Sequence, residues 1–206
     1  MEKRIFGMRE LRAENGDDGP VIEGYAAVFN VRSLEMWGFQ EIILPGAFAD
    51  SIASDDIRSL WNHDTSFVLG RTRNGTLSLH EDEVGLRVRI QPPDTQFARD
   101  FVESIRRGDV DQMSFAFEVL PDGEEWERDD EERLLRKLKK VTLYEVSPVT
   151  FPAYPATSVS VREQWGDPVE IPAHLLEGQE EGDEAERQRA RARLQRLQLE
   201  LKRLRI

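Results

Sequence analysis

Gln112-Met113-Ser114-Phe115-Ala116-Phe117 alternates large apolar residues with small or polar ones, the period of a β-strand whose successive side chains leave on opposite faces. Met113, Phe115 and Phe117 share one face, so Ser114 is expected on the other, anchored by its neighbours and presented to a different surface. The period recurs from Gly85 to Ile90, where Leu86, Val88 and Ile90 alternate with Arg87 and Arg89, the mark of a half-buried strand. Apolar runs at Ile22 to Phe29, Gln40 to Leu44, Ile57 to Asn62 and Thr76 to His80 extend the reading to a mostly β, α+β chain. Gly24 inside the first run suggests a bulge or close backbone packing, and Pro45-Gly46 ends the second. Helical spacing is confined to a turn or two around Phe48 and Ile52, and to Phe97, Ala98, Phe101, Val102 and Ile105, which follow a stop and N-cap at Pro92-Pro93-Asp94-Thr95 and end at Gly108.

Further along, Asp122 to Lys140 is nearly continuous charge, acidic through Glu132 and basic from Arg133. It reads as a solvated hairpin extension or surface loop whose opposite charges meet across it. Val141, Leu143, Glu145 and Ser147 then fall on one strand face by strict alternation, with Thr142, Tyr144 and Val146 on the other. Glu145 thus projects beside apolar neighbours, where a carboxylate needs a partner. After Val161 the composition changes: Gly166, Pro168 and Pro172, then a Gly- and Glu-rich stretch from Glu177 to Glu184, read as a linker. Beyond it Leu194, Leu197, Leu201 and Leu204 follow the 3-4-3 spacing of a short coiled-coil seam, which implies a partner helix. The expected organisation is a domain over 1–162, a flexible acidic linker over 163–182 and an amphipathic helix over 183–206.

The chain has 206 residues and a formal net charge of −12. Residues 183–206 carry eight Lys/Arg against four Asp/Glu, so the acidic excess belongs to the body. Such a body repels nucleic acid, whose binding depends on phosphate neutralisation by Lys and Arg. With no cysteine, disulfides and thiolate nucleophiles are excluded. No apolar run reaches signal-peptide or membrane-span length, so a soluble cytosolic protein is expected.

Three residues in strand-like settings carry chemistry: His63 in Leu60-Trp61-Asn62-His63-Asp64, Ser114, and Glu145 in Leu143-Tyr144-Glu145-Val146-Ser147-Pro148-Val149-Thr150. A base, a hydroxyl and a carboxylate are the parts that turn a weak alcohol into a nucleophile. Their order, His then Ser then acid, matches none of the familiar local motifs. Each residue also has a plainer reading. A lone His is most often structural, a Ser in a strand is often just a tolerated small residue, and Glu145 could pair with an arginine such as Arg71. Asp64 is an alternative orienting acid, although strand alternation points it away from His63, and Ser147 is a competing hydroxyl with a structural reading beside Pro148. His80, in a charged turn, and His174, in the linker, read as non-catalytic. No ligand spacing supports a metal, and no cofactor is implied.

The set of segments Ile22-Glu23-Gly24-Tyr25-Ala26-Ala27-Val28-Phe29-Asn30, Leu44-Pro45-Gly46-Ala47-Phe48, Asn62-His63-Asp64 with Leu69-Gly70-Arg71, Gly85-Leu86, Gly108 through Phe117, and Glu145 to Thr150 with Pro152-Ala153 resembles, in order, the prohead (capsid maturation) proteases of tailed bacteriophages, relatives of the herpesvirus assemblins. The resemblance covers roughly residues 3–162. It implies a serine endopeptidase on a closed or partly open β-barrel of assemblin type with a few surrounding helices. It also implies a substrate, scaffold protein or the scaffolding segment of the major capsid protein, cut inside the assembling prohead in the host cytoplasm, with self-cleavage and a homo-oligomer, a dimer, as in related assemblins. Carried over, Ser114 is the nucleophile, His63 the base, and Glu145 stands where assemblins have a histidine. Arg71, or a backbone amide near it, is the expected oxyanion or substrate contact. The tail would dock, dimerise or tether the enzyme to scaffold or capsid. The contrasting class is a non-enzymatic assembly module that kept the fold, which would have no need of both His63 and Ser114.

Overall fold

The computed structural model describes residues 1–5, 11–16, 19–33, 35, 38–150, 169 and 171–176. The chain divides into two units, Met1–Val169 and Glu170–Ile206. Of the second, only the short helix α3 (Ala173–Leu176), which carries His174, is described. The expected linker and leucine-spaced tail otherwise lie outside the described residues.

In the first unit the centre is a five-stranded sheet in the order β1 (Glu2–Ile5), β9 (Gln112–Val119), β12 (Val141–Val149), β5 (Arg58–Trp61), β6 (Asp64–Arg71). All its pairings are antiparallel except β12 with β5, which run parallel. A four-stranded antiparallel sheet has the order β2 (Arg12–Gly16), β3 (Gly19–Val28), β8 (Gly85–Ile90), β7 (Leu77–Glu81). The third sheet joins the hairpin β10 (Glu124–Arg128) and β11 (Leu134–Leu138) to β4 (Phe39–Ile43), the last pairing parallel. Among its described residues the unit also has two α-helices, α1 (Ala49–Ser54) and α2 (Gln96–Arg106).

The α+β composition is as expected, but the barrel is not. Among the described residues none of the three sheets closes on itself: β1 and β6, β2 and β7, and β10 and β4 remain edges. Closure requires a last strand to pair with a first at a consistent stagger, and alternation along one strand carries no information about which strand lies beside it.

One apolar core joins the two larger sheets and both helices. Phe115, Phe117, Val146 and Leu143 from the central sheet meet Ile22, Leu86, Val88 and Ile90 from the four-stranded sheet, Phe48 beside α1, and Phe101, Val102 and Ile105 of α2. The amphipathic face read from the α2 sequence is the buried one. In β3 the register shifts between Tyr25 and Ala27, so the bulge anticipated at Gly24 comes just after it. Two residues past that bulge, where Gly85 pairs with Val28, a Cβ on Gly85 would lie 2.0 Å from the Ala27 carbonyl oxygen, so only glycine lets the strands close.

The charged stretch departs from its expected solvation. It does form a hairpin with opposite charges across it, Lys139 with Glu125 and Lys137 with Glu127. Yet Leu134, Leu135, Arg136 and Leu138 are buried, because β11 is the middle strand of its sheet. Arg136 joins Arg4 on a buried carboxylate, Glu41. Arg4 Nε donates to Glu41 Oε1 at 2.6 Å and Arg136 Nη1 to Glu41 Oε2 at 2.9 Å. Glu2 accepts from Arg136 at 2.6 Å and Glu124 accepts from Arg136 Nε at 2.6 Å. Arg4 also lies over the Phe117 ring, 5.3 Å from its centroid. Burial raises the Glu2 carboxyl, but the two arginines outweigh it and hold it below its ordinary value.

Candidate active site

Three local devices on the central sheet bring His63, Glu145 and Ser114 to one region. The first is the hairpin between β5 and β6. Trp61 pairs with Asp64, leaving Asn62 and His63 as a two-residue loop, with φ of 51° and 61°. Both positive values are the signature of a type I′ turn, whose twist matches the flanking strands. Asn accepts that conformation readily; His does so at a cost of about 1–3 kcal/mol, which the surroundings must offset. They do so from two sides. The Asn62 amide donates to the Pro148 carbonyl at 3.1 Å, its side chain donates to Thr150 Oγ1 at 3.1 Å, and the Thr150 amide donates back to Asn62 Oδ1 at 2.9 Å. Trp61 packs on Phe101 of α2 and Phe67 of β6, with ring centroids 5.0 and 5.4 Å apart.

The second device is a bulge in β12. Leu143 pairs with Phe117 but Glu145 with Ala116, so Tyr144 is an extra residue and the phase of the strand slips by one. Strict alternation puts Glu145 on the face of Leu143 and Val141. The bulge moves it to the opposite face and turns Val146 into the core, where it is fully buried. Bulges re-aim side chains in this way, and nothing in the local alternation announces this one. Glu145 and Ser147 now share a face with Ala116 and Ser114 of β9, since Ser147 is the cross-strand partner of Ser114.

The third device is the pairing of β1 with β9, which sets Ile5 opposite Ser114 and Arg4 opposite Phe115. Ser114 Oγ donates to the Arg4 carbonyl at 3.0 Å, and Ser114 is wholly buried.

His63 Nδ1 is hydrogen-bonded to Glu145 Oε1, and Ser147 Oγ donates to Glu145 Oε2. A carboxylate only accepts, so Nδ1 carries a proton, and in the neutral ring Nε2 then keeps its lone pair. The His63 side chain is 15% exposed and that of Glu145 8%, so the pair sits under partial cover with one ring nitrogen available for proton transfer.

Arg71 is elsewhere engaged. Its Nε donates to Asp56 Oδ1 at 2.8 Å and its Nη2 to Asp56 Oδ2, while its main-chain N–H donates to Thr76 Oγ1 at 2.9 Å. Arg58, the β5 partner of Glu145, also turns to Asp56, with Nη2 3.3 Å from Oδ2. The side-chain bond from Arg71 is the chief reason that the Asp56 carboxyl is held down at about 2. The arginine reading of Glu145 therefore gives way to its bonds with His63 and Ser147. Asp64 starts β6 and accepts from the Ser66 amide at 2.8 Å. His80 lies in β7, paired with Arg87, rather than in a turn. Among the described residues no cluster of three or more His, Asp or Glu is placed to hold a metal ion.

One of the two further residues of this region, Arg4, escaped the sequence reading; the other, Ser147, was read there as a competing hydroxyl with a structural role. Ser147 was legible as a same-face neighbour of Glu145, two residues on, and it keeps that place because both lie beyond the bulge. Arg4, whose carbonyl receives the Ser114 hydroxyl, gave no signal, since any residue has a carbonyl and only the pairing of β1 selects this one.

A family model described as caudovirus prohead serine protease matches residues 8–171. Comparison with curated proteins and with solved structures found no match. The match takes in most of the chain, including β2 through β12 and all three residues of the region just described, and the chain accordingly belongs to the caudovirus prohead serine protease family and is a serine-type peptide-bond hydrolase.

Proposed function

We propose that this protease cleaves scaffold protein or the scaffolding segment of the major capsid protein, and itself, within the assembling prohead in the host cell. Ser114 is the nucleophile, His63 the general base and Glu145 the orienting acid. The observation that carries the assignment is the His63 Nδ1 bond to Glu145 on the sheet face that also bears Ser114. In this reading the Ser114 hydroxyl turns from the Arg4 carbonyl toward His63 Nε2. Oγ adds to the scissile carbonyl carbon as Nε2 takes its proton. The C–N bond then breaks, the leaving amine receives that proton, and water hydrolyses the acyl-enzyme by the same relay. Glu145 keeps the imidazole in the Nδ1–H tautomer and stabilises the imidazolium.

Arg71 serves as an oxyanion or substrate contact only by exchanging Asp56 for a substrate oxygen. Residues 1–162 form the protease domain in this account, with 163–182 a linker open to self-cleavage and 183–206 a helix that dimerises or tethers the enzyme to its substrate. The test is expression of wild type beside Ser114→Ala with the cognate capsid and scaffold proteins, reading intact masses. Fragments present in wild type and absent in the variant are expected. Uncut capsid and scaffold proteins in assembled proheads with wild type would overturn the substrate assignment, and identical fragments in both would overturn the nucleophile.

A further inference from the structure

Two serines face each other across β9 and β12, and both are wholly buried. They differ in what their hydroxyls do. Ser114 Oγ donates to a main-chain carbonyl, a neutral acceptor it can leave for a base. Ser147 Oγ donates to Glu145 Oε2, while the other oxygen of that carboxylate holds His63 Nδ1. The Ser147 proton is therefore committed on the acid side of the imidazole, away from Nε2.

We propose that Ser147 is a positioning residue for proton transfer: its hydroxyl pins the second oxygen of Glu145, so that the first stays on His63 Nδ1. The inference rests on the assignment of His63 and Glu145 as base and orienting acid. The physical reasoning is geometric. A glutamate side chain reaches His63 through three torsions, and one hydrogen bond leaves the carboxylate free to swing about it. A second donor, fixed two residues along the same strand, removes that freedom. Because Glu145 is buried, loss of that donor leaves its second oxygen short of a partner. The bulge at Tyr144 places both residues beyond the phase slip, so they move to the site face together. Hydrogen-bonding groups around an active centre have their effect by such preorganisation, and small misplacements lower rates by about ten- to a hundredfold.

The experiment uses the full chain in the Ser114→Ala background, which prevents self-cleavage, and follows the downfield Nδ1 proton resonance of His63 by NMR with and without Ser147→Ala. In parallel, cleavage of the cognate scaffold or capsid protein is timed for wild type, Ser147→Ala and Ser147→Thr. The expected result is loss or displacement of the Nδ1 resonance in Ser147→Ala, a fall of about ten- to a hundredfold in kcat with KM little changed, and recovery of both by Ser147→Thr, which keeps the hydroxyl. Should Ser147→Ala not fold, Ser147→Cys fills the same space with a much weaker donor and gives the same comparison.

An unchanged resonance, or an unchanged cleavage rate, overturns the proposal. So does absence of the resonance in the parent chain, which would mean that no ordered His63–Glu145 bond exists to be supported. Complete loss of cleavage in Ser147→Ala with the resonance intact would make Ser147 the nucleophile. Cleavage persisting in Ser114→Ala with Ser147 intact would instead sink the Ser114 assignment, and the NMR comparison would still decide whether Ser147 holds Glu145.

Discussion

Two buried polar networks lie against opposite faces of the central sheet, and they differ in how completely their members are matched. On the core face, Arg4 and Arg136 converge on Glu41, with Glu2 and Glu124 taking further guanidinium hydrogens. On the other face, His63, Glu145 and Ser147 form a hydrogen-bonded chain, and Ser114, the cross-strand partner of Ser147, donates its hydroxyl to a carbonyl. The first network holds strands together, because charges in a low-dielectric interior are tolerated only when each is paired and hydrogen-bonded. The second carries the groups proposed for proton transfer. Burial and ionisable residues are common to both, so these alone do not separate structure from the chemistry proposed.

The comparison can be broken by substitutions of equal chemistry on the two sides. Glu145→Gln keeps the shape but sets an amide N–H against one of its two donors, and is expected to lower peptide cleavage by about 10³- to 10⁴-fold, as loss of an orienting acid does elsewhere. Urea unfolding should place its stability within a few kcal/mol of wild type. The same change at Glu41 should reverse that pattern. Glu41→Gln leaves two buried guanidinium groups without their shared charge and is expected to cost about 3–5 kcal/mol in urea unfolding, while cleavage per folded molecule stays near wild type. If Glu41→Gln instead abolished cleavage in fully folded protein, the division of labour between the faces would be wrong.

A smaller effect sharpens the role of the turn. Asn62→Ala removes the side-chain tether to Thr150 and puts a residue less tolerant of positive φ into the loop, a loss of about 2 kcal/mol. Asn62→Gly keeps the conformation and loses only the tether. Better cleavage by the glycine variant than by the alanine variant, at equal folded fraction, is the outcome expected if the backbone of the turn is what aims His63.

The smallest expected effect concerns acid. Asp56 is depressed from 3.8 to about 2, chiefly by Arg71, so its contribution to stability is complete above pH 3.8 and is lost as pH falls toward 2. The ion pair is half-buried at the surface and partly screened by salt. Glu2, with its carboxyl also lowered, has the same sign: its contribution is full above 4.5 and fades as pH falls through its folded value. Acid unfolding of Asp56→Asn should therefore shift only slightly, and less at high salt, whereas Glu2→Gln should shift it more and keep the shift in salt. Equal salt sensitivity for the two variants would contradict the burial of the Glu2 network.

Much of this was legible residue by residue. The alternation from Gly85 to Ile90 coincides with β8, and the helical spacing after Thr95 with α2. The strands that escaped, β1, β2 and β6, lack that pattern: Glu2–Ile5 is mostly charged, Arg12–Gly16 is mainly exposed, and Asp64–Arg71 begins with three exposed residues. Among the described strands each is an edge strand, with a strand partner on one side only, where the side chains need not alternate. The charged stretch misled for a related reason. Arg136 among acidic and basic neighbours looks like a solvated residue until Arg4, Glu2 and Glu41, distant in the chain, are seen to enclose it.

What the sequence determined by itself is the local periodicity and the family: a mostly β chain with α2 as a helix of its body, and the family to which the ordered segments belong, with His63, Ser114 and Glu145 as the chemical set it proposes. These depend on residue type and short spacing. What only the tertiary structure decided is the separation into three unclosed sheets, the Tyr144 bulge that turns Glu145 toward Ser114, the positive-φ turn that holds His63 over β12, and the β1 carbonyl that receives the Ser114 proton. The reason is that strand phase and strand partnership are set by pairing between segments far apart in the chain. A one-residue slip reverses every later side chain while leaving the local pattern almost unchanged.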